Sequence, residues 1–238
     1  MKKIVAFSGG KDSTAMAVYL AEQGEEFELM FTPTGDELPE LLAHVADIAK
    51  LINRPLVTPP NQSLAFWMNE FNSLPNWRQR WCTRLIKIVP CIAYLEANPG
   101  SSLMVGLRAD EEFREGLYGP YATYRYPLRE LGWGIRDVYS FLKDRGIEVP
   151  KRTDCALCYG QRLSEWYNLW RDNHGKWTEG ERWEEKTGHT FRSPGRDTWP
   201  AALRDLRKEF ESGRVPRGVS LNVINEEDAE KPCRVCRL

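Results

Sequence analysis

The chain has 238 residues, 33 Lys and Arg against 34 Asp and Glu, and 42% hydrophobic residues. That length suits one large domain or a domain with an extension, and the composition supports a packed core rather than a disordered polymer. A formal net charge of -1 excludes a global field that draws the chain to polyanions, and no stretch approaches the roughly 18 apolar residues of a membrane span.

Residues 4–7 read as a buried strand that stops at Ser8-Gly9-Gly10, too short for a signal-peptide core. A cytoplasmic protein without membrane contact is therefore expected, and its six Cys read as thiols or metal ligands rather than disulfides. A helix is expected over 14–23 and a second strand over 27–32. Residues 40–52 carry Leu41, Leu42, Val45, Ile48, Ala49 and Ile52 at helical spacing. A short strand follows at 55–58, a helix irregular around Pro90 at 84–97, and a fourth strand at 103–107. An amphipathic helix over 135–145 stops at Gly146. This alternation predicts an α/β domain with a mostly parallel sheet flanked by helices. After Pro150 the composition shifts, and residues 151–238 hold four of the six Cys and five of the nine Trp. Helices are expected there at 162–173 and 200–213, with an ordered, turn-rich loop at 191–199. The expected organisation is a nucleotide-binding domain over 1–150 and a Cys/Trp-rich, mainly helical extension over 151–238 packed on it.

The strongest local signal is Ser8-Gly9-Gly10-Lys11-Asp12-Ser13-Thr14, between a predicted strand and a predicted helix. Glycines let the backbone turn tightly and approach a ligand. The N–H groups of the first helical turn, helped by the helix dipole, then face an anion. Ser8, Ser13 and Thr14 add hydroxyls and Lys11 a positive charge. The Gly-to-Gly-Lys spacing is shorter than in a Walker A loop.

Ser-Gly-Gly-Lys-Asp-Ser resembles the PP-loop of the adenine nucleotide α-hydrolases, the N-type ATP pyrophosphatases. Further segments resemble the phosphoadenosine phosphosulfate (PAPS) reductase-like branch: residues 31–40 with Thr34-Gly35, the Cys82-Thr83…Lys87…Pro90 element, Gly106-Leu107-Arg108…Arg114, and Tyr126-Pro127-Leu128 followed by residues 135–139. The resemblance covers about residues 2–172. It implies a Rossmann-like, HUP-type fold that cleaves ATP, with Mg²⁺, between the α and β phosphates. Lys11, Cys82, Lys87, Arg108 and Arg114 are the implied catalytic residues. Ser8, Gly9, Gly10, Lys11, Asp12, Ser13, Thr14, Thr34, Gly35 and Gly106 would bind the nucleotide, with Asp12 or Asp36 near the metal. Pro33 stands where that branch has an acidic residue, and the C-terminal Glu-Cys-Gly tail of the reductases is absent. The intact loop favours ATP cleavage over sulfonucleotide reduction. The part after residue 172 resembles PAPS reductase-like proteins of phages and prophages.

Cys155-x-x-Cys158 and Cys233-x-x-Cys236 are two paired-thiol motifs, which together predict a four-thiolate site. Zinc and a [4Fe–4S] cluster both accept that set. The resemblance adds Cys82 as a substitute ligand or reactive thiol. Cys91, on an apolar helix face, reads as core. His44, His174 and His189 show no catalytic or metal spacing, and a surface role is expected for His44. Across 162–217 Arg is interleaved with Trp, which reads first as a small aromatic core. Arg192, Arg196 and Arg217 are the candidates for a polyanion contact.

Three functions follow. One is ATP pyrophosphatase chemistry that adenylylates an acceptor for sulfur transfer or nucleic-acid modification, with a sulfur donor protein as partner. The second is a thiol-dependent PAPS reductase. The third is a non-catalytic nucleotide- or nucleic-acid-binding phage accessory protein.

Overall fold

A computed structural model describes residues 1–111 and 119–219. They form two compact units. The first comprises Met1–Asn61 and Thr83–Thr153, the second Gln62–Cys82 and the described residues from Asp154 on. Residues 62–82, assigned from sequence to the nucleotide-binding domain, thus belong to the second unit.

In the first unit β1 (Lys3–Ala6), β2 (Glu28–Met30), β3 (Leu56–Val57), β4 (Ser102–Met104) and β5 (Thr123–Arg125) form one parallel sheet. Its order is β3-β2-β1-β4-β5. Ile4 is in register with Glu28 on one side and Leu103 on the other. Alternation along the first strand divides its residues between two faces. Val5 and Phe7 enter one core cluster with residues of α1 (Lys11–Glu22) and α2 (Pro39–Leu51). Ile4 packs on the other face with Met30, Leu103 and, from a later helix, Cys91 and Leu95. The predicted parallel α/β fold is therefore present. Because successive strands leave β1 in opposite directions along the sheet, a crevice opens at the carboxyl ends of β1 and β4, where α/β sheets bind ligands.

The second unit contains α3 (Leu64–Phe71); the intervening helices α4 (Val89–Glu96), α5 (Pro127–Glu130) and α6 (Ile135–Asp144) belong to the first. The second unit continues with α7 (Leu163–Asp172), α8 (His174–Thr187) and α9 (Leu203–Glu211). Trp166, Trp170, Trp177 and Trp199 do form a small core. Trp166 and Trp177 are buried, and Phe210 gathers Tyr167, Trp170, Trp177 and Trp199 at ring-centroid distances of 5.0–5.9 Å. The helix 174–187 was not expected from sequence, since its charges and two glycines blur the apolar period. Gly180 explains itself structurally: a Cβ there would meet Leu157 Cδ2 and Leu203 Cδ1, each at 2.8 Å.

Loop 191–199 is ordered by two buried charged groups. Arg192 is 2% exposed; its Nη2 donates to Asp197 Oδ2 at 2.8 Å and its Nη1 to the Pro200 carbonyl. This corrects its reading as a polyanion contact: the guanidinium is spent inside the loop, whereas Arg196 and Arg217 remain exposed. Glu184 accepts from the Phe191 amide at 3.0 Å and from the Leu203 amide, which opens α9, at 2.6 Å. Burial pushes Glu184 up from 4.5 to about 7, against the opposing pull of those two amides. The folded state thus binds this proton more tightly than the unfolded chain. Its contribution is fully present below pH 4.5 and is lost as pH rises through about 7. Urea melts from pH 4.5 to 8 are expected to show stability falling over that window, by on the order of 3 kcal/mol at most. In Glu184→Gln this slope should vanish; a slope that persists in the variant contradicts the assignment.

Candidate phosphate-binding site

The loop after β1 is shaped by what lies beneath it. Gly9 has φ 73°, and a Cβ there would sit 2.6 Å from Leu41 Cδ1 and 2.8 Å from Val45 Cγ2 of α2. Only glycine fits both the backbone and the space. Ser13 Oγ donates to the Gly10 carbonyl at 3.0 Å and accepts from the Ser8 amide at 3.3 Å, which closes the turn. Helix α1 opens at Gly10 without a side-chain cap. Its first-turn N–H groups are therefore presented to an external acceptor. On the opposite wall Gly106, just after β4, comes so close that a Cβ would meet the Asp12 carbonyl carbon and the Ser13 amide nitrogen at 3.2 Å. The two glycine motifs thus meet in the β1/β4 crevice.

Arg108 does not point freely at a phosphate. Its side chain is 3% exposed and forms ion pairs with Asp12 at 2.9 Å, Asp110 at 2.8 Å and Glu111 at 3.8 Å. Burial alone would lower its pKa; Asp12 and Glu111 more than offset this, so the net shift is upward. Lys11 Nζ lies 3.6 Å from the same Asp12 Oδ2. The other oxygen, Asp12 Oδ1, is buried with no hydrogen-bond partner among the described residues. Arg108 therefore engages Asp12 Oδ2 and leaves Oδ1 without a protein partner among the described residues. A hard cation bridging to phosphate suits that donor. Tyr139 of α6 stands near the pair: burial and then Asp12 push its pKa up, and Arg108 opposes.

The second loop, Thr34–Gly35, is held by a residue the sequence did not flag. Glu37 accepts from the Thr34 amide at 2.7 Å, the Thr34 hydroxyl at 2.6 Å and the Gly35 amide at 3.0 Å. Asp36 is 5% exposed beside them. Asn61 Nδ2 donates to the Pro33 carbonyl at 2.7 Å and to the Ile86 carbonyl at 3.1 Å. That links the loop to a π-helical turn, Thr83–Ile88, which carries Lys87 half-buried. Such turns interrupt α-helices chiefly at functional positions. Arg114 lies outside the described residues.

His44 corrects the sequence reading. It is buried rather than at the surface, and its Nε2 is 3.1 Å from Thr14 Oγ1. Burial lowers its pKa, partly countered by Asp47, so it sits neutral beneath the loop. Thr14 is itself 0% exposed, so its hydroxyl braces α1 from below. The signal was present: His44 falls on the stripe Leu41, Val45, Ile48 that α2 buries.

Residues 2–151 match the model of the phosphoadenosine phosphosulfate reductase domain. The chain belongs to the phosphoadenosine phosphosulfate reductase domain family. An uncharacterized protein of Methanocaldococcus jannaschii is 27% identical over 201 residues, which are 73% of this chain and 46% of that relative. The chain thus spans about half the length of the curated relative it matches. Among solved structures, the PAPS reductase of Candida auris, in a phosphate complex, superposes with a TM-score of 0.51 at 13% identity, over 63% of this chain and 75% of that one. It shows the shared fold. The U34-tRNA thiolase NcsA of Methanococcus maripaludis, with its [4Fe–4S] cluster, reaches a TM-score of 0.41 at 16% identity, over 85% of this chain and 76% of that one; this is too loose to bear on function.

Among the described residues of this PAPS reductase family member, three cysteines lie in the second unit: Cys82 and Cys155, half-buried, and Cys158, buried. The Cys158 amide donates to the Cys155 carbonyl at 3.3 Å, so the pair sits on a turn. Burial and then Cys82 push Tyr159 up to about 12, with Cys158 adding and Arg80 opposing. Cys82 and Cys158 therefore flank one buried phenol. Among the described residues no group of three or more His, Cys, Asp or Glu is placed to hold a metal ion. Cys233 and Cys236 lie outside the described residues. Cys91 packs in the core on α4. No helix of the described residues is long and apolar enough to cross a membrane.

Proposed function

We propose that this protein is an ATP pyrophosphatase that adenylylates an acceptor. The observation that carries this reading is the uncapped start of α1 in the β1/β4 crevice, with Lys11 beside it and Asp12 Oδ1 unpartnered. Loop N–H groups and Lys11 would hold the β and γ phosphates. An acceptor oxygen attacks the α-phosphorus, the bond from that phosphorus to the bridging oxygen breaks, and pyrophosphate leaves with the electron pair. Negative charge grows on the leaving group, where Lys11 and the amides stabilise it. Asp12 or Asp36 would supply the carboxylate near magnesium. Lys87, and Arg114 if it reaches the site, would add positive charge at the phosphates. Sulfur transfer, from a donor protein, or nucleic-acid modification would follow at the activated acceptor. Cys155 and Cys158 with Cys233 and Cys236 would hold zinc or a [4Fe–4S] cluster, with Cys82 as a substitute ligand or reactive thiol; thiolates suit either metal centre.

Incubation with Mg²⁺ and ATP is expected to release pyrophosphate and AMP or an adenylylated product. Lys11→Ala should lower the rate by about 10²–10³, the usual cost of removing one such stabilising group. Release unchanged in the variant rejects the reading.

Membership of the family favours one other reading, PAPS reduction, in which the thiolate of Cys82, Cys233 or Cys236 attacks the sulfate sulfur, adenosine 3′,5′-bisphosphate leaves, and a second thiol attacks the resulting cysteine S-sulfonate, forming a disulfide and releasing sulfite. The same preparations separate the two: sulfite release from PAPS that survives Lys11→Ala and is lost in Cys82→Ser, Cys233→Ser or Cys236→Ser selects reduction.

A further inference from the structure

The second unit exposes an aromatic face that neither its own core nor the phosphate site uses. On α3, Phe66 and Phe71 are 40% and 46% exposed. Trp67 stacks on Phe71 at 5.4 Å with an interplanar angle of 23°, and Trp81 meets the Phe71 edge at 5.4 Å. Trp77 is 40% exposed and stands edge-on to Tyr159 at 5.2 Å. The helix is a firm platform: Ser63 caps its start through the Phe66 amide at 3.1 Å, and Asn72 ends it in the left-handed region. Phe66, Trp67, Phe71 and Trp81 form one linked aromatic cluster, and Trp77 adds a second exposed ring in the same unit; large rings left in water mark an interaction site.

Charge says what kind. Between Glu70 and Cys82 the second unit's stretch has no Asp or Glu, yet it has Arg78 and Arg80. In a chain whose charges otherwise cancel, this is a local basic excess. Arg78 is exposed beside Trp77, and Arg80 adjoins Tyr159. At the far end of α3, Lys186 Nζ donates to Asn69 Oδ1 at 2.6 Å. The one carboxylate of α3 is Glu70. Flat rings for base faces, interleaved with guanidinium forks for phosphates, match an unpaired polynucleotide. A duplex keeps its bases stacked inward and offers no such faces. The strip also runs into Cys82, the half-buried thiol that follows Trp81.

We infer that residues 66–81 form a docking face for single-stranded nucleic acid, with bases stacking on Phe66, Phe71 and Trp77 and phosphates on Arg78 and Arg80. That the bound strand is also the acceptor rests on the reading above; the binding itself does not.

Fluorescence anisotropy with labelled, mixed-sequence RNA and DNA strands of about 20 nucleotides, which spans the site size of such faces, tests this. The matching duplexes serve as comparators. Single strands should bind more tightly than duplexes, and the RNA and DNA arms identify the preferred sugar. Phe71→Ala and Trp77→Ala should each weaken binding about tenfold. Arg78→Ala should reduce the slope of log affinity against log salt by about 0.7. All three residues are exposed, and circular dichroism verifies that the variants fold. Lys11→Ala should bind strands normally. Absent binding, equal affinity for duplex, or affinity untouched by the three substitutions overturns the inference. So does a concentration-dependent dimer lost in the same variants without strand binding, which would make the face a self-association surface. Pyrophosphate release with no strand binding leaves the enzyme reading standing and removes this one; strand binding without pyrophosphate release does the converse.

Discussion

Gly9→Ala is expected to abolish Mg-ATP binding at concentrations where the wild type is saturated. The new Cβ would lie 2.6 Å from Leu41 and 2.8 Å from Val45, both buried on α2. Those atoms belong to a packed core and cannot swing aside as a surface side chain would. The backbone is also held at φ 73°, where a side chain adds about 1–2 kcal/mol of strain. The loop must lift, and its amides leave the positions that face the phosphates. A displacement near 1 Å at such a site costs about 10²-fold. Gly24→Ala provides the control. Gly24 has nearly the same φ, 74°, but a Cβ there meets nothing within 4 Å. Calorimetric titration should therefore show binding lost in Gly9→Ala and retained in Gly24→Ala, with the larger loss of thermal stability in Gly9→Ala, where the clash adds to the strain that both share. Loss of binding in both would make backbone strain alone responsible and contradict the packing argument.

Arg108→Met should be the most destabilising single substitution at the site. It leaves Asp12, Asp110 and Glu111 facing one another without their shared cation. Breaking a buried pair from one side costs about 3–5 kcal/mol, because the remaining charge stays in a poor dielectric. Asp110 is partly exposed, so water takes up some of that cost and the lower figure is the better guide. Arg108→Lys should recover little, because an ammonium cannot span three carboxylates as a planar fork does. In urea melts, Asp12→Asn combined with Arg108→Met should cost less than the sum of the single substitutions. Additive losses would show that Arg108 does not act through Asp12.

The sequence displayed β1, the loop and α1 plainly, because an apolar run ending in Gly-Gly before a helical pattern has few other meanings. It displayed the stripe of α2 as well, yet His44 was set aside from that stripe on residue type. Its neutral, hydrogen-bonded state depends on Thr14, thirty positions away. Arg108 was legible as a site residue but not in its role. A guanidinium that contacts phosphate and one that clamps a carboxylate look alike until Asp12 is placed across the crevice. Glu37 and Asn61 escaped because most of their partners are main-chain atoms, which leave no signature in side-chain spacing. Arg192 misled for the same reason: the Pro200 carbonyl and Asp197 that bury it are joined only by the loop's path. Helix α3 had a Ser63 cap and a short apolar run, but it fell between two strands and read as connection.

Asn61 closes the first stretch of the first unit, and that unit resumes at Thr83. Through its bond to the Ile86 carbonyl, Asn61 ties the point where the chain departs to the point where it returns. The excursion between them is a closed detour, so its length is nearly independent of sheet stability, because closure entropy grows only slowly with length. An excursion of this kind can be lengthened, shortened or exchanged while the loop after β1 stays in place.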